Sequence, residues 1–368
     1  MRRVLVGITA GFVASALILQ VVGFARGPQR PATRLVAEDA SAPLRRIAIH
    51  YAPAMDQRAL GIWRQLFAAL PATVEVDVEV AAPQDFDRLM RALAKAGTPH
   101  LDRFKPVVVG APITTWSRDR YAALVDNSGQ GAILAPPRTE SAAIDRAGDA
   151  RSPKAISRAL YQRDPHIADI AFEGGDFAAT PHLLFADVNL AARNVGRGDA
   201  DRAAMERELR RRFGQTIVWL GDSLGDVPRH HMMMYMVPLD DHTIAVGDLR
   251  AGVKLLGAST LALADVETEA RRFDRAAGEL LARGFHVVRP PVVVLAGGRS
   301  FITYTNALFD RRADGTRVVY LPTYAQPALD RAAQAFYAER GYEVHPIDVS
   351  PIYQLNGSLG CLVNVLAR

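Results

Sequence analysis

The chain alternates short strand-type runs with amphipathic helix-type runs along most of its 368 residues. The segment "VEVDVEV" (74–80) places an apolar residue at every second position, as in a half-buried strand. It is followed by "PQDFDRLMRALAKAG" (83–97), whose apolar residues recur at helical spacing and whose last residue is glycine. The same order recurs in "TRVVYLP" (316–322) and "PALDRAAQAFYAERG" (327–341). Strands and helices interspersed in this way predict an α/β fold.

The body of the chain has the composition of a globular domain, with 49% apolar and 23% charged residues. No linker divides it, so we expect residues 43–368 to form one domain. The net charge of +5 comes mostly from scattered arginines, and the densest run is "RELRRRF" (207–213). Because no aromatic residues interleave with this run, we interpret it as a solvated helix face and expect no nucleic-acid partner.

The N-terminus begins with Arg2 and Arg3, followed by about twenty mainly apolar residues and a polar, proline-rich stretch. This pattern predicts an export signal or a single membrane anchor at residues 1–26 and a linker at 27–42. With the arginines on the cytoplasmic side, either alternative predicts an exported protein. The body would be periplasmic or secreted, or tethered to the inner membrane through the N-terminal segment.

Cys361 is the single cysteine of the chain, so no internal disulfide can form. In an exported protein, a lone thiol is either a buried small hydrophobe or a nucleophile. The chain has no phosphate-binding glycine loop, no dinucleotide-binding pattern and no paired C-x-x-C, and the pair His230–His231 lacks the spacing of a zinc motif. We therefore expect neither a metal nor an organic cofactor.

Four short stretches carry residues suited to catalysis. "TTWSRDRYA" (114–122) places Asp119 in a loop after a strand, "AFEGGDF" (171–177) places Glu173 before two glycines, and "RHHMMMYM" (229–236) places His231 before an apolar run. The fourth stretch is the loop around Cys361. Taken singly, each has an ordinary structural alternative: a surface ion pair, a turn, a structural histidine followed by core methionines, and a buried thiol.

Taken in order, the four stretches resemble the bacterial agmatine deiminase and peptidylarginine deiminase family of the guanidine-modifying (pentein) superfamily. The segment "TYTNALF" (303–309), which contains Asn306, resembles a further strand of that family. The resemblance extends from about residue 104 to the C-terminus, and more loosely from about residue 45. It implies an α/β propeller of five ββαβ modules with the active site at its central axis.

The resemblance also implies the chemistry. A thiolate attacks the carbon of a guanidinium that carboxylates hold in place, and a histidine protonates the departing ammonia. The implied catalytic residues are Cys361 as nucleophile, His231 as general acid and base, and Glu173 as a carboxylate partner. The implied substrate contacts are Asp119, Trp116 and Asn306. The substrate would be a small-molecule or peptide guanidino compound of the agmatine, arginine or peptidyl-arginine class.

Two departures from the family pattern bear on this function. The family's His-x-Asp reads His231-Met232-Met233 here, so a carboxylate that should hold the guanidinium is replaced by Met233. Arg120, directly after Asp119, is expected to compete with a cationic substrate for that carboxylate. Altered or reduced activity, a non-catalytic binding protein on the same fold and an amidinotransferase therefore remain open alternatives.

Three aspartates are candidates to replace the missing carboxylate by folding back towards the site: Asp226, Asp240 and Asp241. Asp240 and Asp241 lie between two strand-like runs and are more typical of a turn.

Overall fold

The structure is a computed structural model that describes residues 33–137, 144–194 and 202–368. The predicted signal or anchor at 1–26 and the first part of the predicted linker lie outside the described residues. Within the described ranges, no helix is long and apolar enough to cross a bilayer. The export and membrane-tether predictions stay predictions.

Helices and strands alternate along the described chain, which confirms the predicted α/β class. The helices are α1 (Asp56–Ala69), α2 (Pro83–Lys95), α3 (Ser152–Tyr161), α4 (Val188–Arg193), α5 (Arg202–Arg212), α6 (Leu249–Leu256), α7 (Val266–Ala282), α8 (Pro327–Ala338) and α9 (Leu359–Leu362). The strands are β1 (Arg34–Leu35), β2 (Arg46–Tyr51), β3 (Glu75–Val80), β4 (Phe104–Val108), β5 (Ala122–Val125), β6 (Gly131–Ala135), β7 (His166–Ile167), β8 (Ala178–Ala179), β9 (Leu183–Asp187), β10 (Thr216–Leu220), β11 (Met236–Pro238), β12 (Thr243–Val246), β13 (His286–Val288), β14 (Val292–Val294), β15 (Phe301–Thr303), β16 (Leu308–Arg311), β17 (Arg317–Thr323), β18 (Tyr342–Asp348) and β19 (Val363–Ala367).

Five sheets of the described chain share one strand pattern, in which an antiparallel pair is followed by a parallel pair. The sheets are β5-β6-β7, β8-β9-β10, β11-β12-β13, β16-β17-β18 and β19-β2-β3. Every parallel pair is connected through at least one helix, because parallel neighbours need a long crossover. Strand β4 extends the last of these sheets, β1 extends the first, and β14 and β15 form a separate antiparallel pair.

The unit built on β17 shows how sequence produces this pattern. Strand β17 is buried along most of its length and pairs in parallel with β18 from Arg317 opposite Tyr342 onwards. Helix α8 joins the two strands and begins with Pro327, whose fixed backbone angle suits a first helical turn. Its buried face, which includes Leu329 and Ala333, packs into the main apolar cluster of the domain. Burial of this face removes the helix stripe from water and fixes the helix on the sheet.

The strands near the two ends of the described chain pair with different sheets. Strand β19, near the C-terminus, runs antiparallel to β2, and helix α9 directly before it carries Cys361. Strand β1 pairs with β5, and the side chain of Gln215 binds both backbone polar groups of Leu35. Part of the predicted linker, residues 27–42, thus belongs to the folded domain, which begins earlier than the predicted residue 43. The apolar residues that flank this short strand explain the difference, because they are buried.

The basic run at 207–213 forms much of α5, as the helical pattern predicted. Its arginines pair with acidic residues: Arg210 with Glu206 and Arg211 with Glu208. These pairs are exposed and lie on the helix surface, which agrees with the interpretation as a solvated face.

Arg368 fastens the N-terminal segment to the domain. Its guanidinium donates hydrogen bonds to the carbonyl oxygens of Ala37, Ala42 and Glu38, at 2.6, 2.9 and 3.2 Å, and to that of Phe309 at 2.9 Å. We expect Arg368→Ala to lower the free energy of unfolding by about 2 kcal/mol, because these carbonyl groups lose a charged donor. Urea denaturation measures this change.

The matched control is Arg64→Ala, which removes an exposed arginine on α1. Equal free energies of unfolding of the two variants would contradict the proposed stabilising role of Arg368.

Candidate active site

A cavity of about 590 Å³ gathers most of the residues that the sequence singled out. Trp116, Asp119, Glu173, His231 and Cys361 all line it, although they are far apart in the chain. The predicted convergence of these stretches is thus present in the structure. Asn306 does not line the cavity and instead lies behind the sulfur of Cys361.

Short helical turns position the cavity side chains. Asp119 ends the turn Ser117–Asp119, Glu173 precedes Gly174–Asp176, and His231 precedes Met232–Met234. Gly175 allows the close approach of two of these segments, because a Cβ atom there would overlap the ring of His231. Gly174 is needed for a different contact, because a Cβ atom there would overlap the backbone oxygens of Arg118 and Tyr121.

His231 and Glu173 form a hydrogen-bonded pair at the cavity wall. The distance between His231 Nε2 and Glu173 Oε2 is 2.9 Å. The same carboxylate oxygen accepts a hydrogen bond of 2.7 Å from Arg193, whose Nε also donates to Asp176 at 2.8 Å. Burial raises the pKa of Glu173, but the hydrogen bond to His231 and the charges of His231, Arg193 and Arg120 outweigh it and lower this pKa. Glu173 is therefore an anion at neutral pH.

The surroundings of His231 favour its protonated form. Burial lowers the pKa of His231, but hydrogen bonds to Cys361 and Glu173, with the charges of Asp119 and Glu173, raise it well above the ordinary histidine value. The neighbouring His230 behaves in the opposite way: burial and the charge of His231 lower its pKa to about 3. The cavity thus contains one protonated and one neutral imidazole, and only His231 is prepared to donate a proton.

Cys361 is buried to 4% exposure, yet it lines the cavity. The side-chain amide of Asn306 donates to the sulfur at 3.5 Å and to the sulfur of Met234 at 3.1 Å. Gly360 makes this contact fit, because a Cβ atom there would lie 2.7 Å from Asn306 Oδ1. Asn306 was predicted to contact substrate; the structure places it where it orients the thiol.

Asp119 already has a cationic partner, and that partner is not Arg120. The guanidinium of Arg146, itself a cavity residue, donates to Asp119 Oδ2, while His231 Nδ1 lies 4.0 Å from Asp119 Oδ1. Arg120 instead points into the core, where its Nε lies 3.5 Å from Asp149. The expected competition for Asp119 therefore comes from Arg146, which no motif in the sequence indicated.

Burial and the charge of Glu173 raise the pKa of Asp119, although His231 and Arg146 lower it in part. The net effect is an upward shift, so this carboxyl is more readily protonated than an ordinary aspartate.

Met233 is buried and contributes no side chain to the cavity lining. Its backbone oxygen accepts a hydrogen bond of 2.8 Å from Thr305, and its neighbours belong to the main apolar cluster. Met233 is therefore a core residue, which is the ordinary structural alternative that we considered for the methionine run.

The aspartates considered as replacements do not line the cavity either. Asp226 pairs with Arg275 at 2.8 Å, Asp240 accepts hydrogen bonds from its own turn, and Asp241 contacts Thr180. None of these three aspartates therefore replaces the carboxylate that is missing at Met233.

The mouth of the cavity carries residues that sequence reasoning missed. Arg229 and Arg299 line it and are exposed, and in the described part of the chain neither guanidinium has a hydrogen-bond or ion-pair partner. Leu224 and Leu355 line the same cavity and are 55% and 37% exposed. No motif in the sequence could have identified these four residues as cavity residues, because arginine and leucine are common on protein surfaces. Only their position in the folded chain identifies them. Over the described ranges, no cluster of three or more side chains suited to a metal ion occurs.

Comparison with known proteins gives the site its context. The family described as Porphyromonas-type peptidyl-arginine deiminase matches residues 62–365. An agmatine deiminase from C. jejuni, solved with substrate bound, is similar with a TM-score of 0.64 and 16% identity, over 90% of this chain and 95% of that chain. An agmatine deiminase of Enterococcus faecalis has a TM-score of 0.63 and 12% identity, over 90% and 95%. No curated protein sequence matches significantly. At these identities the structural likeness shows a shared fold.

The raised pKa of His231 predicts a pH-dependent contribution to stability. Its protonated form stabilises the fold fully below the unfolded pKa of about 6.5, and this stabilisation is lost as pH rises through the higher folded value. We expect the stability difference between the parent and His231→Gln to be largest near about pH 6 and to shrink towards about pH 10. Urea denaturation across this range measures it.

The control for this prediction is His166→Gln, because His166 is exposed on β7. A difference between the parent and His231→Gln that grows with pH would contradict the protonated assignment.

Proposed function

The chain belongs to the Porphyromonas-type peptidyl-arginine deiminase family, and we propose that it hydrolyses a C–N bond of a guanidino compound with Cys361 as nucleophile. The single observation that carries this proposal is the cavity that Cys361 and His231 both line, with His231 hydrogen-bonded to Glu173 at 2.9 Å. A thiol beside a protonated imidazole is the arrangement that nucleophilic catalysis by cysteine requires.

Cys361 attacks first. The thiolate adds to the central guanidinium carbon, and the resulting tetrahedral intermediate expels ammonia with a proton from His231. This leaves an amidino group bound to sulfur. Water, deprotonated by the now neutral His231, adds to the same carbon, and the carbon–sulfur bond breaks. The products are a ureido compound and ammonia, so that one water is consumed for each C–N bond cleaved.

Glu173 and Asp119 have different roles in this proposal. Glu173 holds His231 in position and keeps it protonated until it transfers its proton to the departing ammonia. Asp119 faces the same space and supplies the carboxylate that a guanidinium would bind. With Met233 buried in the core, the substrate lacks a carboxylate from that position, which predicts a weaker hold on a cationic guanidinium than two carboxylates would give.

We also propose that the five three-strand units close around one axis as a propeller. The pairing of β19 with β2 supports this arrangement, because it joins the last strand of the chain to a strand near its beginning within one unit. Loops from different units then meet near the axis, where a cavity lined by β4–β5, β7–β8, β10–β11 and C-terminal segments would lie.

The same fold also suits a second function, binding without turnover. Burial of Met233 in the core and the pairing of Asp119 with Arg146 favour this alternative. It predicts that ligands stabilise the parent and Cys361→Ser equally while no product forms.

Turnover is tested with agmatine, free arginine and arginyl peptides. We expect ureido product and ammonia from at least one of them, and we expect Cys361→Ala to reduce the rate by at least about 10³-fold, because the nucleophile is lost. Mass spectrometry of the parent with chloroacetamidine, an amidinium electrophile, should show one adduct at Cys361.

His166→Gln serves again as a control that leaves the cavity intact. Absence of both turnover and Cys361 labelling in a folded parent would overturn the proposed activity and leave the binding function.

The arginines at the mouth predict a preference among these substrates. Free arginine and a C-terminal arginine carry a carboxylate that Arg229 and Arg299 can bind, whereas agmatine has only a hydrogen atom at that position and ends in a cationic amine. We expect a lower KM for arginine than for agmatine, and a roughly fivefold higher KM for arginine in Arg299→Gln, equivalent to about 1 kcal/mol at an exposed site. Steady-state kinetics measures both values.

Agmatine kinetics provides the internal control, because Arg299→Gln should leave its KM unchanged or lower. A KM for arginine that is the same in both proteins would contradict the role of the mouth arginines.

A further inference from the structure

The guanidinium of Arg146 is held between two carboxylates at the wall of the cavity. It donates to Asp119 on the cavity side, and its Nε lies 3.6 Å from Asp149 on the core side. Asp149 is fully buried and fixed, because it accepts 2.7 Å hydrogen bonds from the backbone and hydroxyl groups of Thr114. A planar guanidinium between two acids is the arrangement that a guanidino substrate would itself need. Here, the side chain of Arg146 occupies this position between the two acids.

The pairing limits what Asp119 can offer to a ligand. A bidentate contact uses both oxygens of a carboxylate, and Arg146 already binds Oδ2. The remaining oxygen, Oδ1, lies 4.0 Å from His231 Nδ1. A cationic ligand at Asp119 would also stand next to the positive charge of Arg146, which the anchored Asp149 keeps in place.

We propose that Arg146 is a specificity-determining residue that occupies the guanidinium subsite at Asp119 and competes with cationic ligands for it. A guanidino compound binds at Asp119 only after it displaces the Arg146 side chain. This inference deepens the proposed function and rests on it for the identity of the subsite. Because Arg146 is 23% exposed, its outer face borders the cavity and its displacement needs no opening of the core.

The test measures binding without turnover. In a Cys361→Ser background, isothermal titration calorimetry gives the Kd of agmatine for the otherwise unchanged chain and for Arg146→Gln. We expect Arg146→Gln to bind agmatine about tenfold more tightly, which corresponds to about 1.4 kcal/mol. Equal or weaker binding would overturn the proposal.

The matched control is Arg64→Gln in the same background. It removes an equal charge from an exposed position on α1 that does not line the cavity, so a general effect of net charge would appear there as well. We expect a change of less than about twofold, because exposed charges are screened by water and salt. An equal gain in both variants would overturn the specific role of Arg146.

A second variant is needed because Arg146→Gln leaves Asp119 and Asp149 with fewer partners and could misfold. Arg146→Lys keeps a cation in place but replaces the planar fork by a compact ammonium that cannot span Asp119 and Asp149 equally well. We expect about threefold tighter binding of agmatine. If Arg146→Lys binds agmatine no more tightly than the Cys361→Ser chain that keeps Arg146, the proposal is overturned.

The outcomes separate this inference from the proposed activity. Tighter agmatine binding by the Arg146 variants, together with no ureido product from the Cys361 chain, supports the competition and overturns the deiminase reaction. Unchanged binding with normal turnover overturns the competition alone.

Discussion

The imidazole of His231 is the group on which the arrangement of the site depends. It contacts Glu173 directly, lies near Asp119, and interacts with the thiol of Cys361. A buried cation is stable only where such partners replace water, and removal of one partner from a buried pair costs about 3–5 kcal/mol. The proton on His231 therefore connects segments that are distant in the chain. The same proton is the one that the proposed reaction must transfer.

The acidic side chains of the cavity form ion pairs with arginines of the same chain. Asp119 pairs with Arg146, and Glu173 and Asp176 share Arg193. At the mouth, by contrast, Arg229 and Arg299 lack ionic partners in the described structure. In the proposed function, this distribution neutralises the place where a guanidinium binds and leaves positive charge where it enters. The proposed function therefore predicts that ligands combining a guanidino group with an anionic group are favoured over ligands that are cationic at both ends.

Sequence patterns predicted the elements well where local physics decides them. The alternating strand of 74–80 and the helix that begins at Pro83 appear as β3 and α2, and Asp240 forms the turn that its neighbours indicated. These features depend on contacts between residues close in the chain. The prediction failed for Arg120, which the structure turns into the core towards Asp149. It stood next to Asp119 in sequence, but adjacent side chains leave the backbone in different directions.

By itself, the sequence determined the α/β alternation, the lone thiol and the set of candidate site residues: Asp119, Glu173, His231 and Cys361. It also determined that no aspartate follows His231 by two positions. Only the tertiary structure decided that Met233 packs in the core, that Asn306 supports the sulfur, and that Arg146 takes Asp119. The reason is that ion pairs form between groups that the folded backbone brings within a few ångströms. Arginines are frequent in this chain, and nothing in their local sequence marks which of them will reach a buried carboxylate.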